Sequence, residues 1–234
     1  MIKIVSFDIW KTLLDTSKFY QLISEKLSSL TGKPLENVYK ELMNTYYEAI
    51  EARLKGLFKK PIYDSAKFFA EKMGISIDDL FKATVQAILD ERIKNISFPD
   101  SEKALIELKR RNLKIAFLGN VLFWPGMATR IILEQNNLLK YADITLFGDE
   151  IGVQKPDKEV FEILADQANC KINEILHVGD SLINDFAGAL IAGARATLLK
   201  RGMESEIIVL NNKAYIVNSL VKVPQIVDLI NNYK

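Results

Sequence analysis

The hydrophobic positions of the chain follow three successive spacings. Residues 2–8, "IKIVSFD", form a nearly continuous apolar run and predict a short, fully buried strand. From about Ser17 to Lys94 the apolar positions recur every three or four residues, and β signals become scarce. "SKFYQLISEKLSSLTG" closes on Gly32, and "PLENVYKELMNTYYEAIEARLKG" opens with Pro34 near its first turn and stops at Gly56. "YDSAKFFAEKMG" and "SIDDLFKATVQAILDERIK" complete a set of about four helices, and the short links with Gly and Pro suit antiparallel packing in a bundle.

Beyond Pro99 the pattern alternates. Helix-like "DSEKALIELKRRN" precedes strand-like "LKIAFLGN", and "PGMATRIILEQNNL" precedes "ADITLFG". "PDKEVFEILADQA" precedes "EILHVGD", and "INDFAGALIAGA" precedes "RATLLKR". "AYIVNSL" reads as a last strand and "VPQIVDLINN" as a closing helix. Such alternation predicts an α/β fold with a parallel sheet covered on both faces. The expected domains are a core of residues 1–15 and 96–234 and a helical bundle of residues 16–95 inserted after the first strand. Repeats and low-complexity segments are absent from the sequence.

Composition narrows the chemistry. Apolar residues make up 49% and charged residues 26%, ordinary for a globular chain of 234 residues. The 31 Lys and Arg nearly balance the 30 Asp and Glu, which removes any general reason to expect nucleic acid or an anionic membrane as partner. A single cysteine, Cys170, excludes an internal disulfide and a cysteine-based zinc site and reads as an inert thiol. A single histidine, His177, excludes clustered-histidine metal sites and argues against a Ser-His hydrolase. It reads as a strand residue hydrogen-bonded in the core. No apolar stretch approaches the about 20 residues of a membrane span. The first residues read as a strand, not a signal peptide, so the cytoplasm is the expected compartment. Monomer and dimer remain equally open.

Ligands of open α/β sheets bind beyond the carboxyl ends of the strands, so the residues there carry the interest. The first strand ends at Asp8 and the second at Gly119-Asn120. Lys155 lies in "GVQKPD" beyond the third. The fourth ends "HVGD" at Asp180, with Asp185 following in the first turn of the next helix. Carboxylates, a lysine and exposed amides converging on one point suit a hard divalent cation such as Mg²⁺ together with a phosphate.

In these segments the chain resembles the haloacid dehalogenase superfamily of hydrolases. The resemblance runs through "FDIWKTLL", "KIAFLGN", "GVQKPDKEVF" and "HVGDSLINDFAGALIAGA" in that order, nearly the whole chain. It implies a Rossmann-like core with the helical segment as a cap that selects the substrate, a small phosphorylated metabolite. It also implies Asp8 as a nucleophile that forms an aspartyl-phosphate. Asp8, the backbone carbonyl of Trp10 and Asp180 would ligate Mg²⁺, with Asp185 a supporting acid or an alternative ligand. Lys155 would pair with the transferring phosphoryl group, Thr12 would support the loop, and Gly119 and Asn120 would lie at the phosphate.

Two positions depart from the pattern the resemblance implies for phosphatases. Trp10 stands where a second acid would protonate the leaving group. Gly119 stands where a Ser or Thr hydroxyl would hold phosphate, so backbone amides such as that of Asn120 remain, and a hydroxyl at 119 is expected to add one hydrogen bond. An aromatic residue two places after the nucleophile is also a feature of metal-independent 2-haloacid dehalogenases. The alternatives are therefore that chemistry, or a weakly active or non-catalytic phospho-ligand-binding role. Bland readings stand beside the sharp ones. Asp185 is also readable as complementing its helix N-terminus, Lys155 as a surface residue, and Arg53 as a solvated helix charge. Tyr46, Tyr47, Phe58, Phe123 and Trp124 read equally as pocket lining or as packing.

Overall fold

The computed structural model describes residues 1–232. The chain forms two compact units. One comprises Met1–Leu14, Ser97–Asn120 and the chain from Asn137 onward; the other comprises Asp15–Ile96 and Val121–Asn136.

The first unit is built on a sheet whose described strands are β1 (Ile4–Phe7), β2 (Lys114–Gly119), β3 (Ile144–Phe147), β4 (Ile175–Gly179), β5 (Arg195–Leu199), β6 (Ile207–Val209) and β7 (Ala214–Val217). Their order is β3-β2-β1-β4-β5-β7-β6. All neighbours are parallel except β6 and β7. β1 lies between β2 and β4, and all four of its residues are buried. A strand covered on both faces is predominantly apolar on both, which explains the nearly continuous apolar run "IVSF". The order reverses at β1, because β2 and β3 extend to one side and β4 begins the other. The carboxyl ends of β1 and β4 therefore flank the crevice where such folds bind ligands. This is the α/β, Rossmann-like core expected from the alternating pattern.

The unit's helices are α5 (Ser101–Arg110), the short α7 (Gly148–Ile151), α8 (Lys158–Ala168), α9 (Gly188–Ala192) and α10 (Val223–Asn232), numbered with those of the helical unit below. Ile4, Ala116, Leu118 and Leu146 of the sheet pack with Val160, Phe161 and Leu164 of α8 and with Ala189 of α9 in one buried cluster. By the pleat, Val5, Phe7, Ile115 and Phe117 point to the other face, and all four are buried. α5 packs on β2 and α10 on α5.

The helical unit contains α1 (Thr16–Thr31), α2 (Leu35–Leu54), α3 (Pro61–Met73), α4 (Ile77–Ile88) and α6 (Gly126–Gln135). Asp15 caps α1 by accepting from the Ser17 amide at 2.9 Å, and Gly32 closes it in the left-handed region at φ 71°. The core of this unit is aromatic. Phe19 meets Trp124 edge-on at 5.2 Å, Phe69 meets Phe123 at 4.5 Å and Tyr20 meets Tyr46 at 5.2 Å. Edge-to-face pairs of this kind add about 0.5–1.5 kcal/mol beyond area burial. Phe123 and Trp124 are thus packing residues of this core, whereas Tyr47 is 54% exposed.

Several elements differ from the sequence reading, among them the end of α4 and an added strand. α4 ends at Ile88 and does not run to Lys94, because the Asp90 carboxylate accepts from the Arg92 amide at 3.1 Å and starts a separate 3₁₀ turn, Glu91–Asn95. β6 is an additional edge strand. Its three residues are too few to show a period. Among the described residues, no helix is long and apolar enough to cross a membrane.

Candidate active site

Asp8 follows β1 directly, and its amide donates to the Val178 carbonyl on β4 at 2.8 Å. The chain then turns tightly. The amides of Leu13 and Leu14 both donate to the Ile9 carbonyl, at 2.8 and 2.9 Å, and that of Lys11 donates to the Leu14 carbonyl at 2.8 Å. Lys11 takes φ 66°, the left-handed region that a β-carbon disfavours. The loop is anchored from outside. The Arg201 guanidinium donates to the Thr12 carbonyl at 3.0 Å while gripping Asp100 at 2.8 and 3.0 Å, and it lies 4.0 Å over the Phe98 ring. Thr12 is buried, and its hydroxyl makes no hydrogen bond to the described residues. Trp10 is half-buried and forms a backbone bridge with Leu14.

Lys155 joins the acids. Its ammonium donates to Asp8 Oδ1 at 2.8 Å and to Asp185 Oδ1 at 2.7 Å, with the lysine side chain 1% exposed. Burial pulls a lysine down, but Asp185 and Asp8 more than offset it and hold Lys155 above its ordinary value. The lysine's backbone is fixed by Asn120. The Asn120 amide nitrogen donates to the Lys155 carbonyl at 2.8 Å, and the Lys155 amide donates to Asn120 Oδ1 at 2.9 Å.

Asp180 and Asp185 come from one turn. After β4 the chain forms a π-helical stretch, Leu182–Ala187, in which the amides of Asp185 and Phe186 both donate to the Ser181 carbonyl. The wide turn brings Asp185 back over β4, where its Oδ2 accepts from the Ser181 amide at 2.9 Å and its Oδ1 lies 3.2 Å from His177 Nε2. It seats on Gly179: a β-carbon there would lie 2.3 Å from the Asp185 carboxylate carbon. Burial pushes Asp185 upward, but Lys155 and the His177 contact overcome it and hold the carboxyl well below the usual range.

One carboxylate oxygen from each of Asp8, Asp180 and Asp185 lies within 4.8 Å of the others. Burial, aided by the neighbouring carboxylate Asp185, pushes Asp8 up to about 6 against the pull of Lys155. Burial, with Asp8 and Asp185, pushes Asp180 up to about 7. Three carboxylates facing one buried ammonium have the all-oxygen donor set and the negative charge that a hard divalent cation takes.

Asp8, Lys155, Asp180 and Asp185 are thus brought together, with Asn120 behind the lysine. A β-carbon on Gly119 would lie 2.8 Å from the Phe147 ring and 3.1 Å from Ile9 Cδ1, so a Ser or Thr there would require these neighbours to shift. The roles of the Asn120 side chain, Gly179 and Arg201 carry no signal in the sequence, since each depends on partners distant along the chain. His177 is hydrogen-bonded in the core, as expected.

A family model described as haloacid dehalogenase-like hydrolase matches residues 2–193. The chain is 27% identical over 207 residues to a glyceraldehyde 3-phosphate phosphatase of Methanothermobacter thermautotrophicus, covering 85% of this chain and 86% of that one. It is 27% identical over 169 residues to an (S)-2-haloacid dehalogenase of Pseudomonas sp., covering 71% of this chain and 69% of the relative. A phosphoserine phosphatase of Thermus thermophilus is 31% identical over 121 residues, and the match spans 52% of this chain and 47% of that relative. The fold is similar to that of the HAD-hydrolase YfnB from Bacillus subtilis bound to magnesium, with a TM-score of 0.76, 15% identity and coverage of 98% and 99%. The chain belongs to the haloacid dehalogenase-like hydrolases.

Proposed function

We propose that this hydrolase is a Mg²⁺-dependent phosphatase of small phosphorylated metabolites that works through an aspartyl-phosphate on Asp8. The observation that carries the reading is the convergence of Asp8, Asp180 and Asp185 on one point. A substrate carboxylate would be repelled by that charge, whereas a cation with a phosphate satisfies it. Asp8 Oδ2 attacks phosphorus, the ester oxygen leaves, and water then hydrolyses the acyl phosphate to restore the carboxylate. Lys155, already on Asp8 Oδ1, leaves the other oxygen to react and neutralises charge gathering on the phosphoryl group. Asp8, Asp180 and the Trp10 carbonyl would hold the cation, which supplies charge neutralisation at the phosphoryl oxygens. Asp185 supports Lys155: its Oδ1 accepts from the Lys155 ammonium and lies 3.2 Å from His177 Nε2, and its Oδ2 accepts from the Ser181 amide. Gly119 and Asn120 border the phosphate with backbone only, and the helical unit serves as the cap that selects the substrate.

Trp10 favours a second reading, metal-independent dehalogenation of a 2-haloacid, since the acid expected of a phosphatase two residues after Asp8 is missing. The two are separated by assaying nitrophenyl phosphate and 2-chloropropionate, each with Mg²⁺ and with chelator. Phosphate release that needs the metal supports the phosphatase, and halide release in chelator supports the dehalogenase.

A further inference from the structure

Resting on the reading that Asp8 and Lys155 form the reacting pair, we infer that His177 is a positioning residue: it fixes the Asp185 carboxylate in the orientation that keeps the Lys155 ammonium on Asp8.

The placement begins in the sheet. Ser6 of β1 and His177 of β4 are register partners, so their side chains stand side by side on one face. His177 is wholly buried, with the Phe161 ring edge-on at 5.2 Å. Its Nδ1 lies 2.8 Å from Ser6 Oγ and its Nε2 lies 3.2 Å from Asp185 Oδ1. Two residues further along the same face, Gly179 provides the seat for that carboxylate. β4 is therefore shaped for Asp185 twice, by a donor at 177 and by a missing side chain at 179.

The contacts dictate the ring's protonation pattern. An ionised Asp185 only accepts hydrogen bonds, so the nitrogen facing it must carry the proton. Burial holds the His177 imidazole below its ordinary value and so neutral, which leaves Nδ1 an acceptor to which Ser6 Oγ donates. The opposite tautomer would aim a lone pair at the carboxylate in a dry pocket. The chain of contacts is thus directional: Ser6 to His177, His177 to Asp185, and Lys155 to both Asp185 and Asp8.

Lys155 divides its ammonium between two carboxylates at 2.8 and 2.7 Å. How strongly Asp185 competes with Asp8 depends on what else satisfies Asp185 Oδ1. Removing the His177 donor leaves that oxygen with a bare lone pair away from water. The carboxylate then draws the ammonium towards itself and away from Asp8.

The chain has one histidine, so the imidazole nitrogen signals of tag-free protein are unambiguous. Nitrogen-15 NMR should show a protonated Nε2 and a bare Nδ1. His177→Phe keeps the volume and loses both contacts. It should lower kcat about tenfold or more, since small misplacements of a charged group near the reacting atoms are costly, with KM little changed. His177→Gln, whose amide nitrogen can occupy the Nε2 position, should recover most of that loss. A residue that only filled space would give variants whose kcat follows their thermal stability, with Gln no better than Phe. That outcome overturns the inference. So does an Nδ1-protonated ring, or a crystal structure of His177→Phe in which Asp185 and Lys155 have not moved. The last two readouts do not depend on turnover. A wild-type protein inactive on every phosphate ester would therefore sink the proposed reaction without obscuring whether His177 holds Asp185.

Discussion

Asn120 and Lys155 clasp each other by a two-way pair of hydrogen bonds, side-chain amide to backbone carbonyl at 2.8 Å and backbone amide to side-chain oxygen at 2.9 Å. The residue after β2 therefore sets the height at which the lysine enters the site. Asn120→Asp keeps the oxygen that accepts from the Lys155 amide but turns an acceptor towards the Lys155 carbonyl. Both Asn120→Asp and Asn120→Ala should reduce kcat at least about tenfold in folded protein, since small misplacements of a charged group near the reacting atoms are costly. Steady-state kinetics with a circular-dichroism check of folding test this. Normal turnover in Asn120→Asp would show that the clasp does not position the lysine.

Gly119→Ser should destabilise the protein by about 1–3 kcal/mol, because the new β-carbon meets the Phe147 ring at 2.8 Å and a packed core resists the insertion. It should not tighten phosphate binding. Phe147→Leu in the same chain should recover part of the loss, and thermal unfolding of the single and double variants reads both effects.

The contrast between Gly119 and Asp8 shows what a sequence can reveal about this site. Asp8 and Asp180 are legible because a strand's hydrophobic run stops at each acid and because parallel topology gathers strand ends in one place, whereas Lys155 lies in the loop after α7 and is legible only from the segment "GVQKPD". β1 is legible because its central position favours a nearly continuous apolar run. Gly119, Asn120 and His177 take their meaning from Phe147, Lys155 and Asp185, partners brought close only by folding. β6 escaped for lack of length. The end of α4 depends on whether Asp90 continues a helix or caps the next turn, and the side chain chose the cap.

The acids should link metal binding to pH. In metal-free protein Asp180 is raised from the ordinary 3.8 to about 7 and Asp8 to about 6. Between the ordinary carboxylate range and those values the folded chain binds more protons than the unfolded one, so metal-free stability should fall as pH rises through that window. Mg²⁺ takes the ionised carboxylates and should reverse the trend. Its stabilising effect on the melting temperature should grow as pH rises through about 6 to about 7. Thermal unfolding against pH, with Mg²⁺ and with chelator, gives the test, and Asp180→Asn should flatten the difference.

Trp10 predicts a substrate bias. Without an acid two residues after Asp8, a departing alkoxide lacks a proton donor of a kind typically worth about 10²–10⁴ in rate. Aryl and acyl phosphates, whose leaving groups are stable as anions, should be hydrolysed much faster than glycerol or sugar phosphates. Trp10→Asp should narrow that gap if the folded variant tolerates loss of the indole. Equal rates on both ester types in wild type would show that another group supplies the proton.

The most direct test of the account is to trap the covalent intermediate. Protein mixed with Mg²⁺ and a phosphate ester labelled in the phosphoryl group, then quenched with acid during turnover, should carry the label on Asp8 in a form released by hydroxylamine. Asp8→Asn, and wild type in chelator, should carry none. Turnover of the ester with no label on Asp8, or chloride release from 2-chloropropionate at an undiminished rate in chelator, would contradict the proposed reaction.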